Sequence, residues 1–289
     1  MKIITVNTQK VLSPTQIALA DYTINPYKGC EFGCLYCYAQ ENKNIAKESF
    51  FNSLTVKINA PQILENELAY KKPKRVLLGS TTECFPYQEL NYKVTEKILK
   101  ILNQNRIAYT ILTKSHLIAG YLSLITQNSK NKIFFTLNFS TDEITKLFEK
   151  KSPSLNQRLS AIKQIIKADV HLRIHLGPFI PYISNLKEIL KLIPKEIKEI
   201  DVELYHNKQG NFSKITEIIK ENISSELAKK IEQVYKNEKS YKAYADKLLS
   251  EIKQAVKQYP FSFYYIAPDF NQFYGKKINY ENPLFGNLE

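Results

Sequence analysis

Short runs of apolar and β-branched residues alternate along the chain with longer segments in which apolar residues recur at helical spacing. In the longer segments apolar residues stand at i, i+3, i+4 and i+7, the pattern of an amphipathic helix. Five segments of this kind are PQILENELAYKK, YKVTEKILKILNQ, HLIAGYLSLITQ, SLNQRLSAIKQIIKA and NLKEILKLI. The short runs predict β-strands near residues 22–27, 75–80, 108–113, 133–138, 170–176 and 199–205.

This alternation of strands and helices is typical of repeated βα units, whose strands form a parallel sheet. Right-handed crossovers curl six such units into an open barrel rather than the closed eight-unit form. The predicted fold class is therefore α/β, with a partial (βα)6 TIM-like barrel. In such barrels the functional side chains lie at the carboxyl ends of the strands.

The composition changes after the sixth predicted strand. Residues 213–258 are rich in Lys and Glu at helical spacing, and the aromatic segment PFSFYYIAPDFNQFYGKK follows them. That segment either contains a final core strand, SFYYI, or presents aromatic rings that stack on nucleic-acid bases. We assign residues 1–210 to the barrel and residues 211–289 to a C-terminal helical and aromatic elaboration packed on it.

Composition and charge narrow the class of protein. With 289 residues, 44% of them hydrophobic, the chain can bury one sizeable core. It lacks a run of eighteen apolar residues and a long apolar block near its start, so we expect a soluble cytoplasmic protein without a membrane partner. The net charge of +13 attracts polyanions and leaves DNA or RNA open as partners, although an AT-rich genome also explains the lysine bias.

Three of the four cysteines, Cys30, Cys34 and Cys37, stand within eight residues directly after the first predicted strand. Such crowding indicates metal chemistry in a reducing compartment rather than disulfides. Three thiolates can hold three corners of a [4Fe–4S] cluster, which leaves the fourth iron open to a substrate or cofactor. The alternative is a four-thiolate zinc site completed by Cys84, in a nucleic-acid-binding module without catalysis.

The C-x3-C-x2-C spacing, with the aromatic Tyr36 immediately before the last cysteine, resembles the radical S-adenosylmethionine superfamily. That resemblance implies an enzyme whose open iron chelates S-adenosylmethionine (SAM). Reductive cleavage of SAM then yields a 5′-deoxyadenosyl radical. The resemblance also implies an electron donor such as flavodoxin or ferredoxin as a partner.

The chain is similar, more narrowly, to the spore photoproduct lyase-like branch of that superfamily. The segment NPYKGCEFGCLYCYAQ follows the branch pattern N-P-Y-x-G-C-x-x-x-C-x-Y-C-Y-A nearly residue for residue. Four further segments occur in the family's order: LTKS, FTLNFST, SPSLNQRLSAI and HLGPFIP. The resemblance covers about half of the chain and implies action on a nucleic acid, in repair or modification. A peptide, a protein or a small metabolite is the alternative substrate.

Matching positions imply roles at the cofactor. Tyr36 resembles the aromatic residue that packs on the adenine, and Glu83 stands where the superfamily holds the methionyl amine. Lys114 corresponds to a lysine that meets the cofactor's carboxylate or ribose. A carboxylate at Glu83 would complement an ammonium group. Ordinary core packing of Tyr36 and solvated surface positions for the two charged residues are the alternatives.

Three more positions complete the predicted cofactor site. Thr136 and Asn138, in the fourth predicted strand, resemble the Ser/Thr and Asn that bind ribose or carboxylate. Gly177 ends the fifth strand, where the resemblance implies an adenine-binding backbone. For Thr136 the alternative is simple β-propensity.

One position departs from the branch. Authentic spore photoproduct lyase has a hydrogen-donating cysteine just after the second strand, where spacing places Ser80 in this chain. Cys84 is a candidate replacement, with a small buried hydrophobic residue as its alternative role. Tyr38 matches a tyrosine of the wider branch and is a second candidate for hydrogen transfer. We therefore expect that this protein is not a true photoproduct lyase.

Overall fold

The computed structural model describes residues 1–41, 50–207 and 211–271. Its strands are β1 (Lys2–Val6), β2 (Ser13–Pro14), β3 (Tyr22–Ile24), β4 (Tyr27–Lys28), β5 (Ser53–Lys57), β6 (Arg75–Leu78), β7 (Ala108–Thr113), β8 (Lys132–Thr136), β9 (His171–Phe179), β10 (Glu199–Leu204) and β11 (Ser262–Ile266). Its α-helices are α1 (Ala60–Leu68), α2 (Glu89–Tyr92), α3 (Val94–Gln104), α4 (Leu122–Ile125), α5 (Asp142–Phe148), α6 (Leu155–Lys167), α7 (Leu186–Leu192), α8 (Phe212–Asn222), α9 (Ser225–Val234) and α10 (Glu238–Val256).

The main sheet of the described residues has eight strands in the order β11-β10-β9-β8-β7-β6-β3-β2. Neighbouring strands from β3 to β11 run parallel, and β2 pairs antiparallel with β3 at one edge. Each of the six predicted strands is present, and β7 has the predicted bounds. The α/β class with a parallel sheet is confirmed, while curvature into a partial barrel stays a prediction.

The two faces of the sheet differ in chemistry. On β10, Ile200, Val202 and Leu204 are buried apolar residues, as expected where a parallel sheet is covered by helices. The alternate positions, Glu199, Asp201 and Glu203, carry carboxylates. Because successive side chains of a strand point to opposite faces, these acidic residues share the other face of the sheet.

The helices largely follow the predicted segments, with one difference. The segment HLIAGYLSLITQ begins as a 3-10 helix over His116–Tyr121 and becomes α-helical only at Leu122–Ile125. Gly120 lies within the 3-10 part, and a glycine weakens a helix interior. Helix α6 starts with a capping box, in which Ser154 accepts from the backbone N–H of Gln157 and the Gln157 side chain accepts in return.

A second, smaller sheet has the order β1-β5-β4. Strand β4 immediately precedes the cysteine segment, and β5 pairs antiparallel with it through Tyr27↔Val56 and Lys28↔Thr55. The small sheet therefore fixes the point at which the chain enters the cysteine loop.

The C-terminal part contains the predicted helical region as α8, α9 and α10. The segment SFYYI forms β11, which extends the main sheet by pairing parallel with β10, so this part of the aromatic segment is a strand. Residues 272–277 of that segment lie outside the described residues, and the boundary at residue 210 stays a prediction. Among the described helices, none is both long enough and apolar enough to cross a membrane.

Candidate cofactor site

A cavity of about 780 Å³ lies at the carboxyl ends of the parallel strands. Its walls come from the segments that follow β2, β4, β6, β7 and β11 and from residues of β8, β9 and β10. Nine of the predicted site residues line it: Cys30, Cys34, Tyr36, Cys37, Tyr38, Glu83, Lys114, Thr136 and Gly177. Residues more than 140 positions apart in sequence thus meet on one surface, as expected for a site at the strand ends of a βα fold.

Glycines allow the cysteine loop to fold closely on its neighbours. Gly29 has a φ of +82° and Gly33 a φ of +65°, a backbone region that glycine adopts without strain. A Cβ on Gly29 would stand 2.3 Å from the carbonyl oxygen of Ser53, so a side chain has no room there. Substitution of Gly29 would therefore displace either the loop or β5.

Backbone hydrogen bonds hold the cysteine loop between two distant segments. The N–H of Cys30 donates to the carbonyl of Phe50 at 3.0 Å, and the N–H of Leu35 donates to the carbonyl of Phe148 at 2.8 Å. Cys34 also forms an isolated antiparallel bridge with Glu149. These contacts therefore anchor the loop to the segments that contain Phe50 and Phe148.

The three cysteine side chains open onto the cavity without converging on one point. The described residues contain no group of three His, Cys, Asp or Glu side chains arranged for a single metal ion. The cysteines of an iron–sulfur cluster bind different irons, so thiols that share a cavity fit a cluster better than a single ion. The four-thiolate zinc site considered from the sequence is not assembled, since Cys84 is fully buried and absent from the described cavity wall.

Burial raises the pKa of Cys30, Cys34 and Cys37, to about 12 for Cys37. Repulsion among the sulfurs adds to the rise at Cys30 and Cys37, whereas Lys114 lowers the pKa at Cys34. A raised pKa favours the protonated thiol, so binding of a metal would release protons from these cysteines.

A buried polar network lies directly behind Cys34. The ammonium of Lys114 donates to the Tyr36 hydroxyl at 2.6 Å and lies 3.3 Å from both the Cys34 sulfur and Glu149 Oε1. The Tyr36 hydroxyl donates to Glu149 and accepts from Asn138 Nδ2 at 2.9 Å. Burial alone would lower the pKa of Lys114, but a Cys34 thiolate and the Glu149 carboxylate raise it, so the amine stays charged.

Glu149 and Arg158, which the sequence interpretation missed, complete this network. Both side chains are nearly inaccessible, at 0% and 2% exposure, and they form an ion pair. Burial would raise the pKa of Glu149, but the charges of Arg158 and Lys114 outweigh it and lower the pKa to about 2. Arg158 lies in SPSLNQRLSAI, a segment used for the resemblance without a role for its arginine, and nothing in the sequence around Glu149 distinguishes it from a surface residue.

Glu83 is held rigidly at the cavity wall. Its carboxylate accepts from the backbone N–H of Phe85 at 2.9 Å, the Thr113 hydroxyl at 2.6 Å and the backbone N–H of Lys114 at 3.2 Å. Burial raises its pKa, and these three donors oppose the rise. The surface alternative for Glu83 is wrong, since the residue is 7% exposed.

Thr136 and Gly177 line the cavity, whereas Asn138 does not. Asn138 is fully buried behind Tyr36, and its Oδ1 lacks a hydrogen-bond partner among the described residues. A Cβ on Gly177 would stand 2.2 Å from the imidazole of His175, so a side chain at this position would force the His175 ring to move. Of the strand-end positions predicted to bind the cofactor, Thr136 and Gly177 can meet a ligand directly.

The two candidates for hydrogen transfer lie in different environments. Tyr38 lines the cavity, and its hydroxyl donates to the backbone carbonyl of Ser80. Ser80 also lines the cavity and accepts from Asn25. Cys84 is fully buried, and its sulfur lies 3.9 Å from the carbonyl of Leu112. The geometry thus brings Tyr38 and Ser80 together and leaves Cys84 behind them.

A second missed group stands on the wall formed by β9 and β10. His175 and Glu203 line the cavity, and His175 Nδ1 is hydrogen bonded to the buried Asp201. Asp201 and Glu203 stand at alternate positions of the segment EIDVELY. In the sequence this pattern is that of a strand with one solvent-exposed face. Their pairing with His175 depends on the register between β9 and β10, which the sequence does not reveal.

Sequence comparisons match this chain to a protein family and to an uncharacterized relative. A family described as "Protein of unknown function (DUF5131)" matches residues 14–152. An uncharacterized protein of Methanocaldococcus jannaschii is 29% identical over 191 residues, which are 66% of this chain and 72% of that protein.

Among solved structures, a mutant of spore photoproduct lyase superposes with a TM-score of 0.55 at 17% identity, covering 69% of this chain and 60% of that one. A second mutant of the lyase, with bound AdoMet and dinucleoside spore photoproduct, has a TM-score of 0.53 at 16% identity and covers 70% and 61%. The chain therefore has a fold similar to that of spore photoproduct lyase. It spans about three fifths of the length of these lyase chains.

Proposed function

We propose that this protein is a radical SAM enzyme that cleaves S-adenosylmethionine reductively at a [4Fe–4S] cluster. The observation that carries the proposal is the meeting of Cys30, Cys34 and Cys37 with Glu83 and Lys114 on one cavity wall. The fold similarity to spore photoproduct lyase supports it, as does the AdoMet bound in one of those structures. With it we propose that the sheet curves into the partial barrel and that residues 1–210 form the catalytic unit.

In this proposal each wall residue has one task. The thiolates of Cys30, Cys34 and Cys37 would hold three irons of the cluster, which when bound would supply the electron for reductive cleavage of SAM. Glu83 binds the methionyl ammonium, since a carboxylate already fixed by three donors loses little freedom on binding. Lys114 offers its charge to the cofactor's carboxylate.

The remaining wall residues position the nucleoside half of SAM. Tyr36 and Thr136 present a ring and a hydroxyl, and the Gly177 backbone is accessible because that position carries no side chain. Asn138 acts indirectly, by holding the Tyr36 hydroxyl from behind. Tyr38, not Cys84, is then the better placed candidate for hydrogen transfer to or from a substrate.

The proposed substrate is a nucleic acid, in repair or modification, and the proposed electron donor is a flavodoxin or ferredoxin. The net charge of +13 supports a polyanionic partner. Because Ser80 occupies the position of the lyase's donor cysteine, we expect no efficient repair of a lesion-bearing oligonucleotide. Efficient repair by the wild type that survives Cys84→Ala would show the inference from Ser80 to be wrong.

The test is formation of 5′-deoxyadenosine and methionine by anaerobically reconstituted, dithionite-reduced protein, quantified by mass spectrometry. Wild type should cleave SAM slowly without substrate, and Cys34→Ala should abolish cleavage because a thiolate ligand is lost. Cys84→Ala is the matched control, since it removes a thiol outside the described cavity wall and should preserve cleavage. Equal loss in both variants, or no cleavage by cluster-loaded wild type, would contradict the proposal.

A further inference from the structure

Lys114 connects the cysteine loop to a buried ion pair. The residue follows β7 directly, and its side chain is 14% exposed. An ammonium group has three N–H donors and no acceptor. Among the described residues its acceptors are the Tyr36 hydroxyl at 2.6 Å, the Cys34 sulfur at 3.3 Å and Glu149 Oε1 at 3.3 Å. Each N–H thus has an acceptor, and one of these acceptors is a predicted cluster ligand.

The Tyr36 hydroxyl helps to hold the ammonium at this place. Its single proton is donated to Glu149, and its oxygen accepts from Lys114 and from Asn138 Nδ2 at 2.9 Å. A hydroxyl has one donor and two acceptor lone pairs, so all of its hydrogen-bonding capacity is used. A satisfied buried network of this kind is rigid, and it fixes the ammonium beside Cys34.

The charges of this network do not cancel among themselves. Lys114 and Arg158 are both cations, and Glu149 is the carboxylate that both of them contact. One positive charge therefore remains, in a place where an unpaired charge is costly. A Cys34 thiolate bound to a metal would supply the missing negative charge, since its sulfur already contacts the ammonium. The network is thus complementary to a ligand thiolate.

A cation hydrogen bonded to a ligand sulfur affects how readily an iron–sulfur cluster is reduced. Uptake of one electron, from a flavodoxin, a ferredoxin or dithionite, adds one negative charge to the cluster. A hydrogen bond and a positive charge at the sulfur stabilise this more negative state, so they raise the reduction potential. Because the ammonium is largely buried, water screens its charge only weakly.

We propose that Lys114 donates a hydrogen bond to the Cys34 thiolate in the cluster-loaded protein and raises the potential at which the cluster accepts its electron. Tyr36 and Glu149 position the ammonium, and Arg158 compensates the charge of Glu149. The inference rests on the proposed function, since it requires the cluster. It gives Lys114 a role before SAM binds, in addition to its charge complementarity with the cofactor's carboxylate.

A redox titration of the reconstituted full chain without SAM, followed by electron paramagnetic resonance (EPR), tests this role. Lys114→Met removes the charge and the N–H donors at similar side-chain length. The equilibrium constant for one-electron reduction should fall at least about tenfold, which is a potential lower by about 59 mV.

Lys150→Met is the matched control for this titration. Lys150 lies next to the cysteine loop, because a Cβ on Gly33 would stand 3.8 Å from the Lys150 Cβ. It is exposed, so water and salt screen its charge and the potential should stay unchanged.

A spectroscopic measurement on the wild type does not depend on how well a variant folds. Protein labelled with nitrogen-15 at the lysine side-chain nitrogen should show a nitrogen-15 coupling in pulsed EPR of the reduced cluster. The coupling should be absent in Lys114→Met and persist in Lys150→Met. An unchanged potential in cluster-loaded Lys114→Met, or no coupling in cluster-loaded wild type, would overturn the inference.

Iron content and SAM cleavage, measured on the same preparations, separate this failure from failure of the proposed function. A wild type that takes up no iron would contradict the proposed function and the role of Lys114 together. A cluster-loaded wild type that cleaves SAM but lacks the nitrogen-15 coupling would contradict the role of Lys114 alone.

Discussion

Glu149 keeps a negative charge in a position that has almost no contact with water. The charge is stable there because Arg158 pairs with one carboxylate oxygen, while Lys114 and the Tyr36 hydroxyl contact the other. Desolvation makes such a pair costly to form, but removal of one partner leaves an uncompensated buried charge. The residues behind Cys34 are therefore a stability determinant as well as part of the site.

Glu149→Gln tests this ion pair through the pH dependence of stability. The folded pKa of Glu149 is lowered from its ordinary 4.5 to about 2, so its stabilisation is complete above about pH 4.5 and is lost as the pH falls toward 2. At pH 7 the variant should lose roughly 3–5 kcal/mol of unfolding free energy in urea titrations. Below pH 4.5 the gap to wild type should narrow by roughly 1 kcal/mol per pH unit.

The control for this pH series is Glu188→Gln, whose exposed ion pair with Lys191 should contribute less than about 1 kcal/mol at any pH. A gap between wild type and Glu149→Gln that stays constant from pH 7 to pH 3.5 would show that Glu149 is not held ionised by Arg158 and Lys114.

Glu83→Gln tests the proposed amine site. The amide nitrogen replaces one acceptor oxygen, so one of the donors from Phe85, Thr113 and Lys114 loses its partner, at a cost of roughly 1–3 kcal/mol in stability. Loss of the charge opposite the methionyl ammonium should raise the Kd for SAM at least about tenfold in calorimetry on cluster-loaded protein. Unchanged SAM affinity in a folded variant would assign the amine to another residue.

At the scale of single elements, helix α6 connects local sequence to the site. Its first turn carries Arg158, and its start is fixed by the capping box of Ser154 and Gln157. The Arg158 Nε also donates to the carbonyl of Pro153 at 3.1 Å, so the cap and the buried arginine are adjacent. A weaker cap should therefore weaken the ion pair between Arg158 and Glu149.

Ser154→Ala removes the side-chain acceptor of this cap. We expect a loss of about 1 kcal/mol in unfolding free energy, visible as a lower urea midpoint. Ser160→Ala, at an exposed position of the same helix, is the control and should leave the midpoint unchanged or slightly raised, since alanine favours helix. Equal midpoints for the two variants would mean that the capping box contributes nothing to the fold.

The helices and strands were largely predictable because the spacing of hydrophobic residues is a local property of the sequence. Strand β7 and helix α6 follow directly from apolar runs and helical spacing. The site was predictable only where a short motif carried it, as for Cys30, Cys34 and Cys37. The contact of Tyr36 with Glu149 joins residues 113 positions apart in sequence. No local sequence pattern predicts a contact between residues so far apart.

At the scale of the whole molecule, the chain has 41 basic and 28 acidic residues. This excess of positive charge has a measurable consequence. If basic side chains neutralise backbone phosphates, binding releases counterions and weakens steeply with salt. We expect affinity for a fluorescent single-stranded oligonucleotide to fall at least about tenfold between 50 and 200 mM salt in anisotropy titrations. Binding that is absent or insensitive to salt would favour a peptide or a small metabolite as substrate.

The central claim is that the cysteine loop holds a [4Fe–4S] cluster, and metal analysis after strictly anaerobic reconstitution tests it most directly. Wild type should contain about four irons and four sulfides per chain, since three thiolates in one loop match a cluster with one open iron. Cys30→Ala, Cys34→Ala and Cys37→Ala should each lose this content, whereas Cys84→Ala should retain it. One zinc per chain without iron in the wild type would contradict the account.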